Sequence, residues 1–228
     1  LQSDVKELSK CVAYFRAIKT GKIILMGHST GCQDVMEYLT GRGHEKREKI
    51  DGGIIQAPAS DREAILASID HPAIYHEGGK VAKSMIEAGD GDEILPSKFT
   101  KSIGPAPVSA RRWLSLASPD HDGDDDYFSS DLTDEQILRS FGELPKIAPL
   151  CVLFSGNDEY VPKSIDKEAL LQRWIGIVKQ GKGIVDEVNS GIMEGATHNL
   201  AGNKDEVVQG LVKRVLGFVS GLSAHSNL

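Results

Sequence analysis

The order of apolar and polar positions sets out the elements before any chemistry is considered. Over residues 1–19, Val5, Leu8, Val12 and Phe15 recur at helical spacing with Ala13 beside them, and Gly21 closes the pattern. An unbroken apolar run follows at residues 23–26. Its lack of alternation predicts a parallel strand covered on both faces. A helical pattern over 30–39 ends at Gly41, and a charged loop, 42–49, leads into a second strand at 50–56, stopped by Ala57-Pro58. The pattern resumes with a strand at 150–155 and a helix at 166–180 that buries Leu170, Leu171, Trp174, Ile175 and Val178. A further strand falls within 184–193. The final helix, 204–222, carries Val207, Val208, Leu211, Val215, Leu216 and Val219 on its buried side. Strands alternating with helices predict an α/β fold with a mostly parallel sheet.

The stretch between these two blocks has a different character. Short helical patterns at 61–69, 79–88, 109–117 and 134–141 are separated by Gly89-Asp90-Gly91, Pro96, Gly104-Pro105-Ala106-Pro107 and the acidic run 121–126. A simple return between parallel strands needs far fewer residues, so this region predicts an inserted helical cap. The organisation expected is therefore core at 1–59, cap at 60–148 and core again at 149–228.

The junction of the first core strand and its helix carries the chemistry. Gly27-His28-Ser29-Thr30-Gly31 is a G-x-S-x-G turn between an apolar strand and a helix, the context a nucleophile elbow requires. A serine there sits on a strained turn with its hydroxyl clear of the sheet, and small neighbours two residues away let strand and helix approach. The N–H of Thr30 then faces a developing oxyanion at a helix N-terminus, and the side chain of His28 is expected to point away from that of Ser29. The alternative reading is a glycine-softened turn with an incidental serine.

A serine nucleophile needs a base, and the base an orienting carboxylate. In folds with such an elbow the order is serine, acid, histidine, each beyond the end of a strand. Asp158, in Ser155-Gly156-Asn157-Asp158-Glu159, holds the acid's place; Glu159 is second choice and Asp61 third, Asp61 reading better as a first-turn or N-cap residue. Of seven histidines only His198, in Gly195-Ala196-Thr197-His198-Asn199, lies between the last strand and the final helix. His44, His71, His76, His121 and His225 read as surface or packing residues.

Composition narrows the classes. At 228 residues with net charge −7 and no Lys/Arg cluster, the chain has no nucleic-acid footprint. No apolar run approaches the ~20 residues of a membrane span. Three cysteines without metal-type spacing point to a reducing, cytoplasmic setting. Cys11 and Cys151 read as buried packing residues, and Cys32 as buried filler beneath the elbow helix rather than a reactive thiol. The run Asp120–Asp126 misses the calcium-loop pattern in glycine and glutamate positions, and reads as a solvated acidic loop. Neither a metal nor an organic cofactor is expected.

Gly27-His28-Ser29-Thr30-Gly31-Cys32-Gln33-Asp34, Ala57-Pro58-Ala59-Ser60-Asp61-Arg62-Glu63, Ser155 to Pro162 and Ala196-Thr197-His198-Asn199-Leu200 together resemble a mainly fungal family of α/β hydrolases that includes intracellular esterases of fusarinine-type siderophores. The stretches 115–119 and 124–128 are similar to it as well. The resemblance spans most of the chain; Cys32-Gln33-Asp34 and Ser60-Asp61-Arg62-Glu63 are its more specific parts. It implies Ser29 as nucleophile, Asp158 as acid and His198 as base of a serine esterase, acting on a small-molecule ester with no nucleic acid and no membrane as partner; it sets no oligomeric state. A general carboxylesterase or lactonase, and a non-catalytic ligand-binding protein of the same fold, are the rival expectations. Such folds place several strands and a second oxyanion donor before the elbow strand, whereas one helix precedes it here. The expectation is that the chain starts inside its fold, leaving an apolar edge on the strand at 23–26.

Overall fold

The computed structural model describes residues 1–69, 71–101 and 103–222; His225 lies outside them. The described residues form two compact units. The first comprises Leu1–Pro58, Leu132–Glu159 and the chain from Lys163 on; the second comprises Ala59–Asp131 and Tyr160–Pro162.

The first unit opens with α1 (Gln2–Ile18), followed by β1 (Ile24–His28), α2 (Gly31–Thr40) and β2 (Gly52–Gln56). In the second unit lie α3 (Asp61–Ser68), α4 (Pro72–Glu87), α5 (Ser97–Thr100) and α6 (Ala110–Ala117). The first unit then continues with α7 (Asp134–Leu138), β3 (Leu150–Ser155), α8 (Lys167–Gln180), β4 (Gly191–Met193) and α9 (Asp205–Gly221). The four strands pair in parallel in the order β1-β2-β3-β4, with His28 opposite Gln56 and Gln56 opposite Leu153. All strands run the same way, so the loops after β1, β2, β3 and β4 leave from one edge of the sheet, where parallel sheets gather their functional groups.

The two central strands are buried along their whole length, β3 as a nearly continuous apolar run and β2 with two glycines and Gln56 among its buried residues. The edge strand is different. β1 was expected to be covered on both faces, yet Met26 is 48% exposed and Ile24 and Leu25 are only partly covered. An edge strand with one helix layer leaves alternate side chains in water. α1 likewise buries only Val5 and Val12; Phe15 is exposed, and so is Cys11, correcting its reading as a packing residue. Cys11 precedes Val12 by one position, about 100° around the helix, which carries it off the narrow buried stripe. On α9 the stripe is Val207, Leu211, Val215 and Phe218; of these Phe218 is fully buried, whereas Leu216 is exposed. α8 buries all five residues expected of it, and Trp174 stacks between Phe141 and Phe154 at ring centroid distances of 4.7 and 5.3 Å. Burying such a side chain stabilises the core by roughly 1.5–3 kcal/mol.

Within the second unit α4 starts seven residues before the expected 79, at Pro72. Gly79, the expected start, lies inside it, as does Gly78. A Cβ on Gly79 would stand 2.7 Å from the Pro119 ring and one on Gly78 3.2 Å from Phe99, so the pair trades helix propensity for close packing. The acidic loop is also not the solvated segment expected. Asp125 and Asp126 are tied down: Arg112 and Ser115 bind Asp125, while Arg62 pairs with Asp126 at 2.8 Å and with Asp131. Burial works against the Arg62 charge, but its hydrogen bonds to Asp131 and Asp126 outweigh that and hold it protonated. Helix-borne arginines thus convert part of an acidic run into internal struts. Among the described residues no helix is long and apolar enough to cross a membrane.

Candidate active site

Ser29 follows β1 directly and has φ 54°, the left-handed region that L-residues avoid. Three bonds hold it there: Ser29 N–H donates to Gln56 O at 3.2 Å, Cys32 N–H to Ser29 O at 2.9 Å and Gln33 N–H to Thr30 O at 3.2 Å. The turn is possible because residue 27 has no side chain. A Cβ there would stand 2.0 Å from Gly31 O and 2.7 Å from Cys32 N, both backbone atoms that cannot yield. The second glycine of the motif is less demanding than its sequence position suggests, since nothing lies within 4 Å of a Cβ on Gly31. Gly27→Ala should therefore destabilise the protein by about 1–3 kcal/mol or more, while Gly31→Ala should stay within about 1 kcal/mol of the parent. Denaturant midpoints of the two variants check this.

The other two expected site residues come from the loops after β3 and β4. Gly156 N–H donates to Met193 O at 3.0 Å and Asn157 N–H to Ala196 O at 2.8 Å, stitching those loops together. Lys167 Nζ donates to Gly156 O at 2.7 Å. Asn203 Oδ1 accepts from both the amide and the hydroxyl of Thr197, 3.0 Å each, bracing the loop beside His198.

The structure brings Ser29, His198 and Asp158 together. His198 Nε2 lies 2.8 Å from Ser29 Oγ, and His198 Nδ1 lies 2.8 and 3.0 Å from the two oxygens of Asp158. A carboxylate only accepts, so Nδ1 carries the hydrogen and Nε2 presents its lone pair to the serine hydroxyl. Asp158 and His198 are 6% exposed each, so water competes little for these bonds. Thr30 stands at the N-terminal end of α2, directly after Ser29 in the chain. Glu159, the second-choice acid, does something else: its Oε2 accepts the backbone N–H of His198 at 2.9 Å. Asp61 opens α3, in the other unit, behind the N-cap Ser60.

Cys32 is fully buried beneath the elbow, its Sγ 3.2 Å from Gln56 O and 3.4 Å from Gly27 O. Burial pushes its thiol well above the ordinary range, and pushes that of Cys151 up to about 12. Brief alkylation of the native protein with iodoacetamide should modify Cys11 alone; intact mass, compared with the unfolded chain, reads the adducts.

Two residues at the site escaped the sequence reading. The ring of His28 lies 4.9 Å from that of His198, and its Nδ1 is 2.6 Å from Gln56 Oε1. A polar residue closing each of two adjacent apolar strands, His28 on β1 and Gln56 on β2, was the available signal. Among the described residues no group of three or more His, Cys, Asp or Glu is placed to hold a metal ion.

Residues 1–220 match the family described as "Protein of unknown function (DUF1749)". The chain is 37% identical to the fusarinine C esterase sidJ of Aspergillus fumigatus, over 97% of this chain and 75% of that protein. Among solved structures it is similar to the siderophore hydrolase EstB from Aspergillus fumigatus, with 42% identity and a TM-score of 0.75 over 96% of this chain and 75% of that one. An α/β-hydrolase fold protein of unknown function superposes with a TM-score of 0.59 at 15% identity, covering 98% of this chain and 71% of that one. The fold is that of the α/β hydrolases.

Proposed function

From the premise that this chain belongs to the family described as protein of unknown function DUF1749, we propose that it is a serine esterase that cleaves carboxylic esters, with fusarinine-type siderophores as its substrate class. The observation that carries the chemistry is the line Ser29 Oγ to His198 Nε2, 2.8 Å, and His198 Nδ1 to Asp158, 2.8 Å. The substrate class rests on the two similar proteins named for fusarinine C and siderophore hydrolysis.

In this reading His198 takes the Ser29 proton as Oγ attacks the ester carbonyl. Asp158 keeps the imidazole in the tautomer that can do so and stabilises the cation that forms. The Thr30 N–H donates to the oxygen that becomes negative in the tetrahedral intermediate. His198 then gives its proton to the leaving alkoxide, and an acyl group remains on Ser29. Water, activated by the same imidazole, attacks that acyl carbonyl; the acid product leaves and Ser29 is regenerated. Every proton moves between groups of the chain, substrate and water, so no metal or organic cofactor enters the cycle.

The test has two arms. Treatment with a fluorophosphonate, followed by peptide mass mapping, should place one adduct on Ser29; a folded protein that takes up no label would instead be a ligand-binding member of the fold. Hydrolysis of fusarinine C should exceed that of simple aryl esters in kcat/KM. The reverse order would make the protein a general carboxylesterase.

A further inference from the structure

The buried amide of Gln56 bonds to the last residues of β1 and β3, which lead to Ser29 and Asp158, and to the loop that carries His198. Gln56 closes β2 and is 3% exposed. Its Oε1 accepts from Nδ1–H of His28, the residue before Ser29, at 2.6 Å. Its Nε2 donates to Ser155 Oγ, at the end of the strand that leads to Asp158, at 3.3 Å, and to the main-chain oxygen of His198 at 3.4 Å. Its own main-chain oxygen accepts the Ser29 N–H at 3.2 Å.

The chemistry of the partners fixes which way this amide faces. The His198 carbonyl can only accept, so it must meet the NH₂ end, and the oxygen is left for His28. His28 therefore carries its hydrogen on Nδ1. An ionised glutamate at position 56 would offer acceptors alone, methionine only a weakly accepting sulfur, and leucine neither kind of group. From the other side, Glu159 Oε2 accepts the His198 N–H at 2.9 Å. The main chain of residue 198 is thus held at both its N–H and its C=O by side chains.

Ser29 and His198 sit on loops 169 residues apart in sequence, yet their reacting atoms must stay within hydrogen-bond reach. We infer that Gln56 is a positioning residue for the reaction: its amide, oriented by His28, grips the elbow and the histidine loop together and so sets the Ser29–His198 separation. The inference rests on the esterase reading above. Gln56 touches neither Ser29 Oγ nor the imidazole of His198, so its loss acts on geometry rather than on proton transfer.

The experiment uses the full chain with p-nitrophenyl acetate, measuring kcat and KM separately on sites titrated by fluorophosphonate. Gln56→Glu and Gln56→Met should each lower kcat by ~10²-fold, the effect of a misplacement near 1 Å, with KM unchanged and slower labelling of Ser29. His28→Phe keeps a ring beside His198 but removes the group that orients the amide; it should lower kcat by roughly tenfold, part of the same misplacement. His28 is exposed, so this variant folds and decides the matter even where a Gln56 variant does not. Unchanged kcat per titrated site in His28→Phe, or in Gln56→Glu where that variant folds, would overturn the inference, as would a rise in KM with kcat retained, or a lower melting temperature with full kcat per site. A parent protein that labels at Ser29 alongside such results loses this inference alone; a parent that does not label at all loses the esterase reading with it.

Discussion

Ser29→Ala should lower turnover by ~10⁴–10⁶-fold and leave folding nearly unchanged, whereas Ser29→Gly should be equally inactive and measurably more stable. The two expectations share one cause. Ser29 holds φ 54° because its backbone is bonded to Gln56 and Cys32 and because the Gly27 site admits the α2 backbone. Alanine keeps the strain of a Cβ at positive φ and loses only the hydroxyl. Glycine loses both the hydroxyl and the strain, which for a non-glycine residue in such a region is of order 1–3 kcal/mol. Glycine also loosens the unfolded chain, which returns about 0.4–1 kcal/mol of that gain. Ester hydrolysis and denaturant unfolding on the three proteins check the prediction together. A Ser29→Ala loss below about 10²-fold would place the nucleophile elsewhere, since a proton-relay serine cannot be so dispensable. A Ser29→Gly variant less stable than Ser29→Ala would mean the turn is not strained as described.

The elements that were legible in the sequence are those whose signal is local. A continuous apolar run located β3, and the 3.6-residue stripe located the buried face of α8, because burial on both faces or on one face writes directly into the residue pattern. The meeting of Ser29, Asp158 and His198 is also close to local information. Each follows a parallel strand, and such loops share one sheet edge whatever else the chain does. What was not legible depends on partners distant in sequence. The run 23–26 by itself reads as covered on both faces, whereas Met26 on the edge strand β1 is exposed, and Cys11 is exposed because α1 buries only the narrow stripe of Val5 and Val12. Gly79 read as a helix start, and only the Pro119 ring and Phe99 reveal why a helix runs through Gly78 and Gly79. Asp125 and Asp126 read as solvated until Arg112 and Arg62 arrive from other segments. Gln56 is the clearest case. Its identity as a polar strand terminus was visible, but the three partners of its side chain come from the ends of β1 and β3 and from the loop after β4, brought together by strand register.

The choice between two adjacent carboxylates is where register and chemistry combine into the second large expectation. Asp158→Asn should lower kcat by ~10⁴-fold, and Glu159→Gln by no more than about tenfold. Asp158 meets Nδ1 of His198 with both oxygens, at 2.8 and 3.0 Å, in a site only 6% exposed. An asparagine of the same shape can turn its NH₂ toward that nitrogen. The imidazole then carries its hydrogen on Nε2, which faces Ser29 Oγ at 2.8 Å as a donor and cannot remove the serine proton. The geometry survives and the base does not. Glu159 by contrast accepts a main-chain N–H, a role the oxygen of glutamine fills with a neutral hydrogen bond in place of a charge-assisted one. Its change weakens the hold on the loop without touching the tautomer. Measured kcat values at neutral pH for the two variants separate these roles. Equal losses would mean that the acid has been assigned to the wrong side chain, and that the bond from Glu159 to the His198 main chain gives way in solution to one with its ring.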